Sequence, residues 1–148
     1  MERVHWPHYE CQIKKIGDEL FVFDPIRRKN VRLFPEEWVR QQFIQHLIQA
    51  CGYPAGLIQT EQGTKYGNLG KRTDILVYDR QLRPYFLVEC KAPYVAIEQE
   101  TLEQVCQYNH VIQAAFVAVC NGAQYQAYAY SPEMTTYQPH AGIPHYPS

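Results

Sequence analysis

Three residues in the middle of the chain have the types and spacing to do chemistry together. Asp74 is followed, one hairpin's length later, by Glu89-Cys90-Lys91. Two carboxylates set directly opposite each other repel, and that repulsion needs a cation or a proton to offset it. A hard divalent ion such as magnesium or manganese takes oxygen ligands and keeps several waters, so Asp74, Glu89 and the backbone carbonyl of Cys90 are a candidate ligand set. A water held there is activated for attack on phosphorus, which is the chemistry of phosphodiester hydrolysis. Lys91 is the candidate to orient or deprotonate that water, or to neutralise charge developing on the phosphate. The same lysine could instead serve as a simple ion-pair partner at a sheet end.

The elements that must position these groups follow from local pattern. Thr73 to Asp79 and Tyr85 to Cys90 are rich in β-branched, aromatic and aliphatic residues, and Arg80-Gln81-Leu82-Arg83-Pro84 between them supplies turn chemistry. They read as an antiparallel hairpin. A turn centred near Gln81 and Leu82 pairs residues whose numbers sum to about 163, which sets Asp74 against Glu89. Lys91 shares the face of Glu89 if the strand runs that far, because side chains alternate along a strand. Upstream, Pro35 opens a helix through about Ala50, with Glu36 and Glu37 in its first turn where carboxylates suit the positive end of the helix dipole. Phe43, Ile44, Leu47 and Ile48 form its apolar face, and both acids project near the edges of that face. Either acid could reach the sheet or simply serve the dipole.

With these pieces in order the chain resembles a known family. Pro35-Glu36-Glu37-Trp38-Val39-Arg40-Gln41, Gly52-Tyr53-Pro54, Lys71 to Asp79 and Leu87-Val88-Glu89-Cys90-Lys91-Ala92-Pro93 are similar to the N-terminal nuclease domain of type I restriction enzyme R subunits and its small stand-alone relatives. That domain is a branch of the PD-(D/E)XK nuclease superfamily. The resemblance runs from about Leu33 to Tyr128. It implies that Asp74 and Glu89 bind the metal, that Lys91 assists hydrolysis, and that Glu36 on the first helix, with Glu37 as its substitute, adds a ligand or water contact. Arg72-Thr73 stands where the superfamily's name has a proline before the aspartate. Gln104 and Tyr108 match a Gln-x-x-x-Tyr element of several such nucleases, and one helical face carries both. With Lys71, Arg72 and Arg40 they make up the expected contacts to nucleic acid.

Composition bounds the alternatives. At 148 residues the chain has the size of a single domain with a real core. The expected organisation is a β extension over residues 1–34, a core over 35–130 and an irregular, proline-containing tail over 131–148. No run is apolar enough to span a bilayer and no leader pattern opens the chain, so the expectation is a cytoplasmic protein without a membrane partner. The five cysteines show no C-x-x-C pair and the six histidines no H-x-x-x-H pair, which argues against a disulfide framework or a zinc site. There is no Walker loop, G-x-S-x-G or dinucleotide fingerprint, so no nucleotide cofactor is expected. Net charge is −1, but all 14 Lys and Arg fall within residues 1–91 beside 11 acids, and residues 92–148 hold four acids and no base. The positive field belongs to the N-terminal part. It implies modest affinity for nucleic acid and a need for a protein partner or a homodimer.

Along the rest of the chain, Cys11 to Leu33 reads as short strands, and Gly56 to Glu61 as the first core strand. Gln62 to Gly70 reads as a mobile loop beside the site. Glu98 to Ile112 has helical periodicity, and strands are expected over Ala115 to Cys120 and Gln124 to Tyr130 across an Asn121-Gly122 turn. Ile75 and Val77 on one face and Leu76 and Tyr78 on the other require a sheet covered on both sides. The expected fold is α/β, a restriction-endonuclease-like αβββαβ core with a mixed central sheet flanked by helices and an N-terminal β extension. The expected function is a magnesium- or manganese-dependent endonuclease acting on DNA in restriction-modification. The alternative is a non-catalytic nucleic-acid-binding or scaffold domain of a restriction or defence complex.

Overall fold

The computed structural model describes residues 1–63 and 72–148, with positions 61–63 and 72–74 placed by their backbone register. Among the described residues, ten strands and two α-helices follow one another along the chain. Strand β1 (Glu2–Arg3) precedes a small antiparallel sheet of β2 (Ile13–Ile16), β3 (Glu19–Asp24) and β4 (Lys29–Arg32). Helix α1 (Pro35–Gln49) leads through a single 3-10 turn (Ala55–Leu57) to β5 (Ile58–Gly63), β6 (Arg72–Tyr78) and β7 (Pro84–Cys90). Helix α2 (Gln99–Ile112) then crosses to β8 (Phe116–Cys120), and β9 (Gln124–Ser131) and β10 (Thr136–His140) close the chain. The αβββαβ core is therefore α1-β5-β6-β7-α2-β8.

The large sheet runs β1-β9-β8-β7-β6-β5, with β10 also paired to β9. It is mixed. Strands β7 and β8 are parallel because α2 supplies the crossover between them, and the other pairs are antiparallel. Alternation along β6 and β7 sorts their side chains onto two cores. Ile75, Val77, Phe86, Val88 and Cys90 pack with Val39, Phe43, Ile44 and Leu47 of α1. Leu76 and Leu87 pack with Leu102, Val105 and Tyr108 of α2. The sheet is covered on both faces, as the continuous apolar runs in these strands demand.

The hairpin between β6 and β7 takes its register from one side chain. Asp79 accepts from the backbone N–H groups of Gln81 and Arg83 (both 2.9 Å) and from Arg83 Nε (3.0 Å). Leu82 adopts the left-handed conformation at φ 63°. These bonds hold the Asp79 carboxyl below its ordinary range, the backbone N–H of Arg83 foremost.

The tail departs from the sequence expectation. Residues 131–148 were expected to be irregular, yet Thr136–His140 forms β10 along the free edge of β9. Pro139 is tolerated because an edge strand can leave one N–H position outside the ladder. Beyond β10 the chain is held by tyrosine hydroxyls that reach its carbonyls. Tyr125 donates to Gly142 (2.9 Å), Tyr53 to Pro144 (2.6 Å) and Tyr85 to His145, and Tyr146 donates back to Tyr78 (2.8 Å). Ile143 and Tyr146 cover the α1-side core. Burial pushes the Tyr53 and Tyr125 hydroxyls far above the normal range, so they stay protonated and can donate to these carbonyls. The loop expected over Gln62 to Gly70 lies largely outside the described residues, and Gln62 and Gly63 end β5. Among the described residues no helix is long and apolar enough to cross a membrane.

Candidate functional site

The site is built at the end of the sheet where β6 begins and β7 ends. Asp74 pairs with Glu89 in the β6–β7 register, and on the other side of β6 the same Asp74 pairs with Glu61 of β5. Three acidic positions thus stand in one row across three adjacent antiparallel strands. Glu89 is 2% exposed. It alternates with Val88 and Cys90, so it lies on the Leu87 side of the sheet, which α2 covers. The ladder runs one bond past the end of β7, because Lys91 N–H donates to the carbonyl of Cys120 (2.9 Å). Lys91 is partly exposed while Cys90 is buried, so the chain surfaces at the lysine.

The sequence marks Glu61 only as the end of a strand. A register can be projected through a tight turn, but the segment joining β5 to β6 is long and has no turn centre to project from. Its place in the acidic row comes from tertiary pairing alone.

The first helix contributes on the other face. Glu37 is fully buried and Glu36 partly exposed. Of the two acids left open by the sequence, Glu37 is the one turned into the protein. It accepts from Arg40 Nε (2.8 Å), from Arg40 Nη2 and from Gln41 Nε2 (3.0 Å), with Arg27 Nη2 3.7 Å away. Arg27 in turn donates to Asp24 (2.9 Å), which also accepts from Thr60 Oγ1 (3.2 Å). This chain of charges, buried except at the partly exposed Arg27, ties the small sheet and α1 to β5. Burial alone would raise the Asp24 carboxyl, but the bonds from Arg27 and from the backbone N–H of Ile26 outweigh it and hold it below its ordinary range.

Two expected contacts to nucleic acid are placed differently. Arg40 is fully buried against Glu37 instead of lying open to a phosphate. The physical reason is that the inward stripe of α1 continues from Leu47 and Ile44 through Gln41, Arg40 and Glu37, so its polar end carries its own ion pair inside. Tyr108 is 5% exposed within the α2-side core, whereas Gln104, four residues earlier, is exposed. The helix therefore turns the glutamine outward and the ring inward. Arg72 opens β6 opposite Gly63, and Lys71 lies outside the described residues. Among the described residues no three His, Cys, Asp or Glu side chains are grouped to hold a metal ion. What the backbone register does supply is a row of acidic positions, Glu61, Asp74 and Glu89, next to the Cys90 carbonyl, and such oxygen donors are those that magnesium and manganese take.

Residues 35–144 match the family model described as type I restriction enzyme R protein N terminus. The chain belongs to that family. The match begins at the first residue of α1 and takes in every element through β10, so it contains the whole acidic row and Lys91 and leaves the β2–β4 sheet outside. No curated protein and no solved structure matches the chain. Membership places this R protein N-terminal domain in the setting of restriction-modification.

Proposed function

We propose that this R protein N-terminal domain is a divalent-metal-dependent deoxyribonuclease of the PD-(D/E)XK superfamily. The observation that carries the reading is the register of Asp74 against Glu89, with Lys91 one ladder bond beyond. Asp74, Glu89 and the Cys90 carbonyl would hold magnesium or manganese, and Glu61 joins them as the neighbouring acid of the row. The bound ion supplies Lewis acidity and a water of lowered pKa. Lys91 places a point charge where the chain emerges from the sheet, suited to orienting the attacking water or offsetting charge on the phosphate. Glu89 sits in a buried strand on a rigid, two-sided core, which fixes the direction of attack better than a loop residue could. Glu37, on the opposite face and bound to Arg40, positions α1 in this reading and Glu36 stays at the solvent side. DNA is the substrate consistent with the family's restriction setting.

The test is cleavage of linear, circular and single-stranded DNA with magnesium or manganese, run beside Lys91→Ala purified identically. Cutting by the unmodified chain and not by the variant supports an enzyme centred on these residues. Equal cutting by both, or none by either, would move the domain to a binding or scaffold role in a restriction complex.

A further inference from the structure

The β2–β4 sheet precedes the part of the chain that matches the family, and its two faces differ. One face is covered only along its β3–β4 half, since Ile13 and Leu20 on the same side stay exposed. Val22 pairs with Ile13 and Val31, Val22 is 0% and Val31 7% exposed, and Asp24 on the same side is bonded to Thr60 of the large sheet. The other face is set by the alternate positions. Lys14, Phe21 and Arg32 stand in one row across the three strands, and Phe23 lies two residues further along β3, opposite Asn30. Neither phenylalanine belongs to the core clusters formed among the described residues, and both keep part of their surface in solvent.

Large aromatic side chains on the outer face of a small sheet do nothing for its core. Alternation would allow polar residues there at no cost to folding. Between Ile13 and Arg32 there are six Lys or Arg and three Asp or Glu, so this sheet and its turns account for a positive excess equal to that of the whole N-terminal part. Among the described residues Arg32 makes an exposed pair with Glu19 at 3.4 Å, of a kind weak enough to exchange for a phosphate.

We propose that this outer face binds an unpaired nucleic-acid strand. Phe21 and Phe23 stack on bases, and Lys14 and Arg32, on either side of Phe21, hold the backbone. Strand rise sets the two rings about 6.7 Å apart, roughly twice the nucleotide spacing along one strand of a duplex. Every base has a π face, so such a platform binds without regard to sequence. A duplex would hide those faces, which makes the preference for unpaired strands the signature. A flat aromatic and basic platform of this kind adds affinity to a domain whose overall charge is −1.

The experiment is fluorescence anisotropy of the full chain with labelled oligothymidine and oligouridine of about 16 nucleotides, and with a duplex of the same length, in chelator. Cleavage plays no part, so the result is independent of the nuclease reading. Phe21→Leu/Phe23→Leu keeps apolar bulk and removes the π faces; it is expected to weaken binding of the unpaired strands by about tenfold or more. Lys14→Ala/Arg32→Ala is expected to reduce the slope of log K against log salt by about 1.4, the value for two phosphates on a single strand. DNA and RNA probes report which strand is preferred. Unchanged affinity and salt slope in both double variants overturns the proposal, as does equal binding of duplex or no binding by the unmodified chain.

Discussion

Replacing Arg40 by Met removes a buried charge while keeping most of the side chain's apolar stem. In the folded protein Arg40 and Glu37 are both at 0% exposure, and the guanidinium meets the carboxylate through Nε at 2.8 Å and through Nη2. Without it Glu37 keeps Gln41 Nε2 at 3.0 Å and the more distant Arg27 at 3.7 Å. Breaking a buried pair from one side costs about 3–5 kcal/mol, and the donors that Gln41 and Arg27 still present place this case near about 3. At roughly 2–4 °C per kcal/mol for a domain of this size, thermal unfolding should move down by about 6–12 °C. The double variant Glu37→Gln/Arg40→Met removes both charges and should recover at least half of the loss, because no orphaned carboxylate is left inside. Scanning calorimetry of the four proteins of the cycle gives the coupling. An unchanged midpoint in Arg40→Met, together with weaker DNA binding, would mean that Arg40 faces a ligand, and the burial argument would be wrong.

Four further outcomes are expected. Asp74→Asn and Glu89→Gln should each weaken manganese binding, read by calorimetry or electron paramagnetic resonance, with far-ultraviolet circular dichroism unchanged; wild-type affinity in both would remove the metal assignment. Asp24 has a depressed pKa, so its contribution is complete above the unfolded value of about 3.9 and is lost as pH falls through the folded value. Asp24→Asn should therefore be less stable at neutral pH by about 2 kcal/mol and lose less stability than the unmodified chain below about pH 4, and parallel urea curves at both pH values would contradict this. His46 is stacked on Trp6 at 4.3 Å, and burial holds its pKa down, so its contribution is complete above about 6.5 and declines as pH falls below that. His46→Gln should flatten the fall in melting temperature between pH 7 and 5, and an unchanged slope would count against the burial of the ring. Deleting residues 141–148 removes the four tyrosine bonds and should cost at least about 4 kcal/mol in urea unfolding; a loss under about 1 kcal/mol would mean that the tail is not part of the core.

Much of the architecture was legible because the signals were local. The helices at Pro35–Gln49 and Gln99–Ile112 end within a residue or two of where proline, acidic first turns and apolar spacing place them. The pairing of Asp74 with Glu89 could be projected because Arg80 to Pro84 makes a short turn, and only the turn's own geometry stands between the two positions. The edge strand at Thr136–His140 was not legible, because two prolines nearby mask a strand whose partner lies across the sheet edge. The inward direction of Glu37 and Arg40 was likewise hidden, since an i,i+3 acid–base pair reads the same on a solvated face as in a core.

The sequence by itself determined the residue types of the site, the order of the core elements and the local turn that opposes Asp74 to Glu89. Those depend on side-chain chemistry and on contacts a few residues apart. The tertiary structure alone decided that Glu61 completes an acidic row, that Glu37 faces inward while Glu36 stays out, and that the outer face of the small sheet carries Phe21 between Lys14 and Arg32 with Phe23 beside it. Each is a pairing between segments with no short turn to transmit register, or a choice of which face is covered. Burial against the rest of the protein makes that choice, not the local pattern.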